Sequence, residues 1–548
     1  MEEGKAIFVD RAEETELVES LVEGLREGTP GNLCFSGPPG TGKTALLKRA
    51  IELHAEAWVE EGLIPVWVPL EDVGAVPVDL ALRYVSRVAA AFLDAVGAKA
   101  EAARILVEDT FPDEARRLRS PAMESFTETM VRFMHTEGMP GDALLEAAFR
   151  FPERFATEKD LRFVLFLDDF PRLMRHRLDQ GRAAVDLFEA VLADQAEVFY
   201  VVSIVPSPFA DRYFVAEGAP FHKAFQYFPV EALPPAEAEA MARDILGTPG
   251  DPARRAARLS AGFPLYLSAV ARAARRSGGE GAVTAEDVDR AFATQVLSPW
   301  GAIHLHFQRL LTDSLARKED VEPAKAVVAA LASGRRVSRE EMEKVSGRAG
   351  KALGALLGRI LSLGLFRKVD SHFYFDDPLF RYWAVSAQEN PPESFTGKEA
   401  KGRAQSFLDR FLDRRKKTSM AQGKINFRHL VAALKGREVP GSWMGVSEPV
   451  RFPPFDKVQG FAFTSKDIKV YYLTAEDTGW FMLVLWRDVK VERSLVDIFA
   501  RRALKRARKL WLVGRGGFSA AAKDCAQSLG IYTSSEDDLR KMMEDETS

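Results

Sequence analysis

The residues best placed for chemistry lie near the start of the chain, in Gly37-Pro38-Pro39-Gly40-Thr41-Gly42-Lys43-Thr44. The segment satisfies the GxxxxGK[ST] pattern, follows a strand-like apolar stretch at residues 32–36, and runs into a helical stretch at 45–51. Strand, glycine loop and helix in that order make a polyphosphate cradle. The glycines let successive backbone N–H groups turn inward, and the helix N-terminus adds partial positive charge. Residues Gly37 to Ala45 are therefore the expected contacts of ATP, with Lys43 reaching the β- and γ-phosphates. The Thr44 hydroxyl is the expected ligand of Mg2+.

Such a loop needs a second strand that ends in a carboxylate. Residues 162–170 read Arg-Phe-Val-Leu-Phe-Leu-Asp-Asp-Phe, five apolar residues and then Asp168 and Asp169. Asp168 is the expected partner of the metal. Asp169 stands where the attacking water would be polarised, and its side chain is one methylene shorter than glutamate, so slow hydrolysis is expected. Ser203, near the end of another apolar run, is positioned to sense the γ-phosphate, with Ser207 as its competitor. Arg212 is a candidate arginine finger, although its simplest reading is an exposed surface arginine.

The elements that would hold these residues are visible coarsely. Residues 64–70, 197–205 and 224–230 are further strand candidates, and amphipathic helices between 78 and 160 form an insertion before the Asp168 strand. At 548 residues the chain has room for three or four domains. Hydrophobic residues make up 47% of it and charged residues 28%. That balance belongs to a globular protein and excludes a disordered one. No apolar run reaches the roughly 18 residues of a membrane span. Acidic residues occupy the start where a signal peptide carries basic ones, so a cytoplasmic protein is expected. Two cysteines, Cys34 and Cys525, exclude a disulfide framework, and the i,i+2 spacing of His304 and His306 argues against a metal site.

The net charge of −4 conceals a split: residues 398–515 hold 26 Lys+Arg against 12 Asp+Glu. Six cations fall in Arg501-Arg502-Ala-Leu-Lys505-Arg506-Ala-Arg508-Lys509, and four in Arg414-Arg415-Lys416-Lys417. Neutralising several phosphates this way would give salt-sensitive, largely sequence-independent DNA affinity. The competing reading is a solvated basic face that pairs with the acidic remainder.

Taken together, the segment Phe8-Val-Asp10-Arg11, the glycine loop, the Asp168-Asp169 strand and Ala261-Gly-Phe-Pro264-Leu-Tyr-Leu267 resemble the archaeal-type, ORC-like P-loop ATPases of the AAA+/STAND group. The resemblance implies that Asp10 and Arg11 help wall the adenine site and that Pro264 lies in a helical lid over the nucleotide. It departs at Asp169, where the family commonly has glutamate. Residues 375–383 look like the end of the family's winged-helix domain. Helices near 323–333, 338–346 and 351–363 and a hairpin at 365–375 support that module. Its third helix offers only Lys351, Arg359 and Ser362 to DNA, with Arg335, Arg336, Arg367 and Lys368 nearby, so packing or oligomerisation is equally open.

After residue 398 the order of helices and strands resembles a restriction-endonuclease-like domain, including strands near 460–463, 468–473, 480–486 and 510–513 and a long helix at 494–509. That fold cleaves with an Asp and a Glu-x-Lys. Asp467 matches the first, but Leu483 and Leu485 occupy the other positions and cannot bind metal, so the domain reads as inactive.

The expected fold class is thus α/β: a P-loop NTPase core at 1–232 with a helical insertion at 78–160, a helical lid at 233–315, a winged-helix domain at 316–388 and a basic nuclease-like domain at 398–548. The leading functional reading is a slow ATPase that changes shape or homo-oligomerises with nucleotide and acts on DNA. The alternatives are a signalling or scaffold ATPase with a partner protein, and an ATP-regulated nuclease.

Overall fold

Strands with unbroken apolar runs belong in a parallel sheet covered on both faces, and the computed structural model places them there. It describes residues 11–544 except 27–30, 72, 75, 137–139, 177, 179–182, 217, 278–281, 314, 316–317, 333–336, 370–371, 376, 390–426, 456, 462–467, 476–477, 486–489 and 504–508. The chain divides into two compact units. One comprises Asp10–Gly37 and Gly42–Val230; the other comprises Glu231–Ser548 together with Met1–Val9 and Pro38–Thr41.

In the first unit, β1 (Asn32–Ser36), β2 (Leu63–Pro69), β3 (Arg162–Asp168), β4 (Val198–Ile204) and β5 (Phe225–Pro229) form one sheet. The order is β2-β3-β4-β1-β5 and every pairing is parallel. All seven residues of β4 are buried, as a central strand requires. Asn32 ties β1 to both neighbours: its side chain accepts from the Tyr200 N–H (2.8 Å) and donates to the Ala224 carbonyl (3.0 Å). A parallel sheet puts the C-terminal ends of its strands on one edge, where open α/β sheets bind ligands. The loop after β1, Asp168 at the end of β3 and Ser203 near the end of β4 all arrive at that edge.

Helix α1 (Ala12–Arg26) precedes β1 and α2 (Lys43–Glu60) follows the glycine loop. Five helices lie between β2 and β3, where the insertion was expected: Pro77–Ala95, Lys99–Ile105, Phe111–Arg117, Pro121–His135 and Gly141–Lys159. Phe155 stacks on Phe163 of β3, and Phe149 packs edge-on against Tyr84 and Phe188 of neighbouring helices. Tyr84 and Tyr200 share a hydrogen bond of 3.0 Å in this core, and burial pushes both phenols up. Glu114, also buried, is neutralised by Arg104 (2.7 Å) and Arg117 (2.6 Å).

In the second unit, helices Pro235–Leu246, Asp251–Ser260, Pro264–Ser277 and Ala285–Leu297 share one apolar core with Ala302–Asp313, Val321–Ala332, Gly350–Leu361 and Pro378–Glu389. Gly262 has to be glycine. Its φ is +75°, and an added Cβ would lie 2.3 Å from the Leu233 carbonyl oxygen. Helix Arg339–Ser346 starts at Ser338, whose Oγ accepts from the Glu341 N–H at 3.1 Å, and β6 (Phe366–Val369) pairs antiparallel with β7 (His372–Phe375). The helix–helix–helix–hairpin order read from the sequence is present.

The remaining described residues build a second sheet. After the two-residue β8 (Glu438–Val439) and β9 (Val450–Arg451) come β10 (Lys457–Phe461), β11 (Ile468–Ala475), β12 (Thr478–Leu485), β13 (Lys509–Gly514) and β14 (Tyr532–Ser535), side by side in that order. The first two pairings are antiparallel and the last two parallel. The helix expected at 494–509 is described over Arg493–Ala503 and does not include Lys509. Lys509 opens a strand because residues 509–514 complete the ladder beside β12.

Candidate functional site

Gly42 is the N-cap of α2 with φ 90°, and Gly40 has φ 85°. Both values lie in the region that favours glycine. These two residues bend the chain so that α2 begins at Lys43 with its N-terminus open. Thr41 Oγ1 donates to the Pro38 carbonyl (2.9 Å), which tightens the loop's apex. Lys43 Nζ donates to the Gly37 carbonyl at 2.7 Å. Thr44 Oγ1 donates to Asp168 Oδ2 (2.8 Å), and Ser203 Oγ donates to Asp168 Oδ1 (2.5 Å). The same Ser203 oxygen accepts the Asp169 N–H at 2.9 Å. Loop hydroxyl, both aspartates and the β4 serine form one hydrogen-bonded group.

The two serine candidates separate. Ser207 caps the short helix Pro208–Ala210, whereas Ser203 holds both aspartates. Arg212 is exposed and lies 5.3 Å from the Tyr213 ring, the surface reading. Arg11 is buried and paired with Glu14 at 3.0 Å, while Asp10 lies outside the described residues. Pro264 opens its helix, and in the same unit the Leu265 N–H donates to the Gly40 carbonyl (3.3 Å). Ala45 is exposed on the first turn of α2.

The donor set suits a nucleotide and a metal ion. Thr44 and Asp168 present a hydroxyl and a carboxylate oxygen on the same spot, the hard donors that Mg2+ prefers, with phosphates and water completing such a shell. The Ser36 hydroxyl, buried at the entrance to the loop, has no partner among the described residues. Burial pulls the Lys43 ammonium down to about 8, against the opposing pull of Asp168 and Asp169.

That value has a consequence for pH. A polyphosphate beside Lys43 stabilises the charged amine, so binding raises its pKa and takes up a proton. Affinity is then level below pH 8 and falls above it, by at most about tenfold per pH unit. ADP titrated calorimetrically at pH 7 and pH 9 should bind several-fold more weakly at pH 9, and equal affinities would contradict the assignment.

Sequence reasoning missed Arg172. Its Nε lies 2.5 Å from Asp169 Oδ2, on a 3-10 turn formed by Phe170–Arg175. The spacing Asp-x-x-Arg was visible, but not the turn that closes it. Asp169 adopts φ 59° and ψ 44°. This is the left-handed region, which aspartate tolerates better than most residues.

Most of the expected nucleic-acid residues fall in segments that are not described. Arg414, Arg415, Lys416, Lys417, Lys505, Arg506 and Arg508 lie outside the described residues. Arg501 and Arg502 belong to helix Arg493–Ala503, whereas Lys509 lies on β13 and stands over the Tyr532 ring at 5.2 Å. In the three-helix module, Arg359 is bonded to buried Asp320 (2.8 Å), as is Arg348 (3.0 Å). Leu483 and Leu485 are buried in an apolar cluster with Val496 and Phe499, and Asp467 is not described. Among the described residues no group of three or more His, Cys, Asp or Glu could hold a metal, and no helix is long and apolar enough to cross a membrane.

A parallel sheet whose glycine loop, lysine and strand-end aspartate meet at one edge defines a P-loop NTPase fold. Residues 7–203 match the family model described as AAA ATPase domain. Among solved structures the chain is similar to a Walker-type ATPase of Pyrococcus abyssi (13% identity, TM-score 0.44, covering 69% of this chain and 96% of the other). It is also similar to the ORC1 protein of Aeropyrum pernix in complex with DNA (15%, 0.41, 70% and 94%). A third is a signal transduction ATPase with numerous domains from Pyrococcus horikoshii (13%, 0.29, 79% and 48%). No curated protein matches the chain in sequence.

Proposed function

We propose that the chain binds ATP with Mg2+, hydrolyses it slowly, and uses the resulting change in shape or assembly to act on DNA. The observation that carries the ATPase reading is the Asp168 carboxylate held between Thr44 and Ser203 beside Lys43. In this reading Lys43 and the loop N–H groups bind the phosphates. Thr44 and Asp168 would hold Mg2+, which neutralises charge on the β- and γ-phosphate oxygens when bound. Ser203 fixes the orientation of Asp168, and Asp169 orients the attacking water and accepts its proton.

The DNA reading rests on the basic excess of residues 398–515. Binding of a labelled duplex at about 50 and about 300 mM salt tests it: steeply salt-dependent binding is expected, and no binding at low salt would remove DNA from the account. Leu483 and Leu485 in the core give no support to nuclease chemistry. One observation favours a protein partner for the three-helix module at 316–388. With Arg359 bound to Asp320, the third helix exposes Ala352, Gly354, Ala355 and Gly358, a surface suited to close packing rather than to phosphates.

A further inference from the structure

We propose that Arg172 is a positioning residue that restrains Asp169 and is one reason that hydrolysis is slow; the proposal rests on the ATPase reading above. Asp169 is held at three points. Its N–H donates to Ser203 Oγ (2.9 Å), its carbonyl accepts the Arg172 N–H (2.9 Å), and its Oδ2 receives Arg172 Nε (2.5 Å). The backbone bonds leave the carboxylate only side-chain rotation, and the guanidinium opposes that.

The turn is built to keep the pair together. In a 3-10 helix, side chains three apart are eclipsed, so the N-cap Asp169 and Arg172 face each other. Phe170 and Leu173 are buried, and Phe170 packs against Phe188, Phe214 and Phe221, so the turn cannot roll. A carboxylate oxygen committed to an arginine is one oxygen fewer for orienting water. Yet the pair is partly exposed, at 20% for Arg172 and 37% for Asp169. It is thus of the modest kind that opens readily. Arg172 sets how often Asp169 is free to orient water, without touching the phosphate loop.

The test compares steady-state phosphate release and ADP binding for the full chain and for Arg172→Ala, Arg172→Gln, Arg172→Lys and Asp169→Asn. Loss of a partly exposed ion pair should raise kcat about two- to fivefold in Arg172→Ala and Arg172→Gln, with KM and ADP affinity unchanged. Arg172→Lys, which keeps the cation, should stay near the slow rate. Asp169→Asn should be almost inactive, alone or combined with Arg172→Ala. An unchanged or lowered kcat in both Arg172→Ala and Arg172→Gln, with ADP binding intact and Asp169→Asn inactive, would overturn the restraint and leave the ATPase reading standing. Wild-type rates in Asp169→Asn, or no hydrolysis by any of the proteins, would overturn the role of Asp169 itself and the proposal with it.

Discussion

Lys43→Ala is expected to weaken ADP binding by about 100- to 1,000-fold, a loss of about 3–4 kcal/mol, in line with truncation of one partner of a shielded, hydrogen-bonded charge pair. The folded protein should survive the change. Lys43 is held charged against the cost of burial, and its described hydrogen bond ends on one carbonyl, that of Gly37. Alanine is also a better helix former than lysine at the start of α2. The loss therefore falls on the ligand, since the N–H groups of the loop alone cannot neutralise a polyphosphate. Calorimetric titration with ADP and Mg2+ measures it, and an affinity within tenfold of wild type would show that the loop is not the phosphate site.

The second large effect is on stability. Asp377 is fully buried and is bonded to three groups: the hydroxyl of Tyr266, and the N–H groups of Leu379 (2.8 Å) and Phe380 (3.0 Å) at the start of helix Pro378–Glu389. Tyr266, also buried, lies on the helix that Pro264 opens. Burial and then the Asp377 charge push its phenol up, so it remains a donor. Asp377→Ala removes a helix cap worth about 1 kcal/mol and strands a buried hydroxyl at about 1–3 kcal/mol. The sum, about 2–4 kcal/mol, is a large part of the stability of an ordinary domain. Tyr266→Phe leaves the two N–H bonds intact and should cost about 1–2 kcal/mol. Urea unfolding of the full chain should show the transition of the helical core moved to lower urea, more for Asp377→Ala. Equal midpoints for both variants and wild type would contradict the assignment.

The geometry of the glycine loop was legible because its signals are local. A glycine loop between an apolar run and a helix leaves little choice of geometry, and the unbroken apolar residues before Asp168 can lie only in a doubly covered strand. Ser203 was legible as a strand-end polar residue, but its grip on both aspartates was not, since parallel pairing across β3 and β4 is non-local. Arg172 escaped notice for a different reason. Its approach to Asp169 depends on a left-handed residue and a 3-10 turn, neither of which an Asp-Asp-Phe-Pro-Arg string announces.

Misplacement of the helix at 494–509 has the same origin. Cations spaced along residues 501–509 read as one helix face, whereas pairing with Trp480 of β12 draws Lys509 into a sheet. Arg359 looked like a surface cation because Asp320, its partner, lies 39 residues earlier. Which charges meet was not readable from their order along the chain.

The central claim, that Lys43, Thr44, Asp168, Asp169 and Ser203 form an ATP-hydrolysing site, is tested most directly by single-turnover phosphate release from ATP and Mg2+ by the full chain beside Asp168→Asn. The account predicts slow release by the wild-type chain, and release by Asp168→Asn reduced at least about 100-fold, with ADP still bound. Release at the wild-type rate by Asp168→Asn would contradict it.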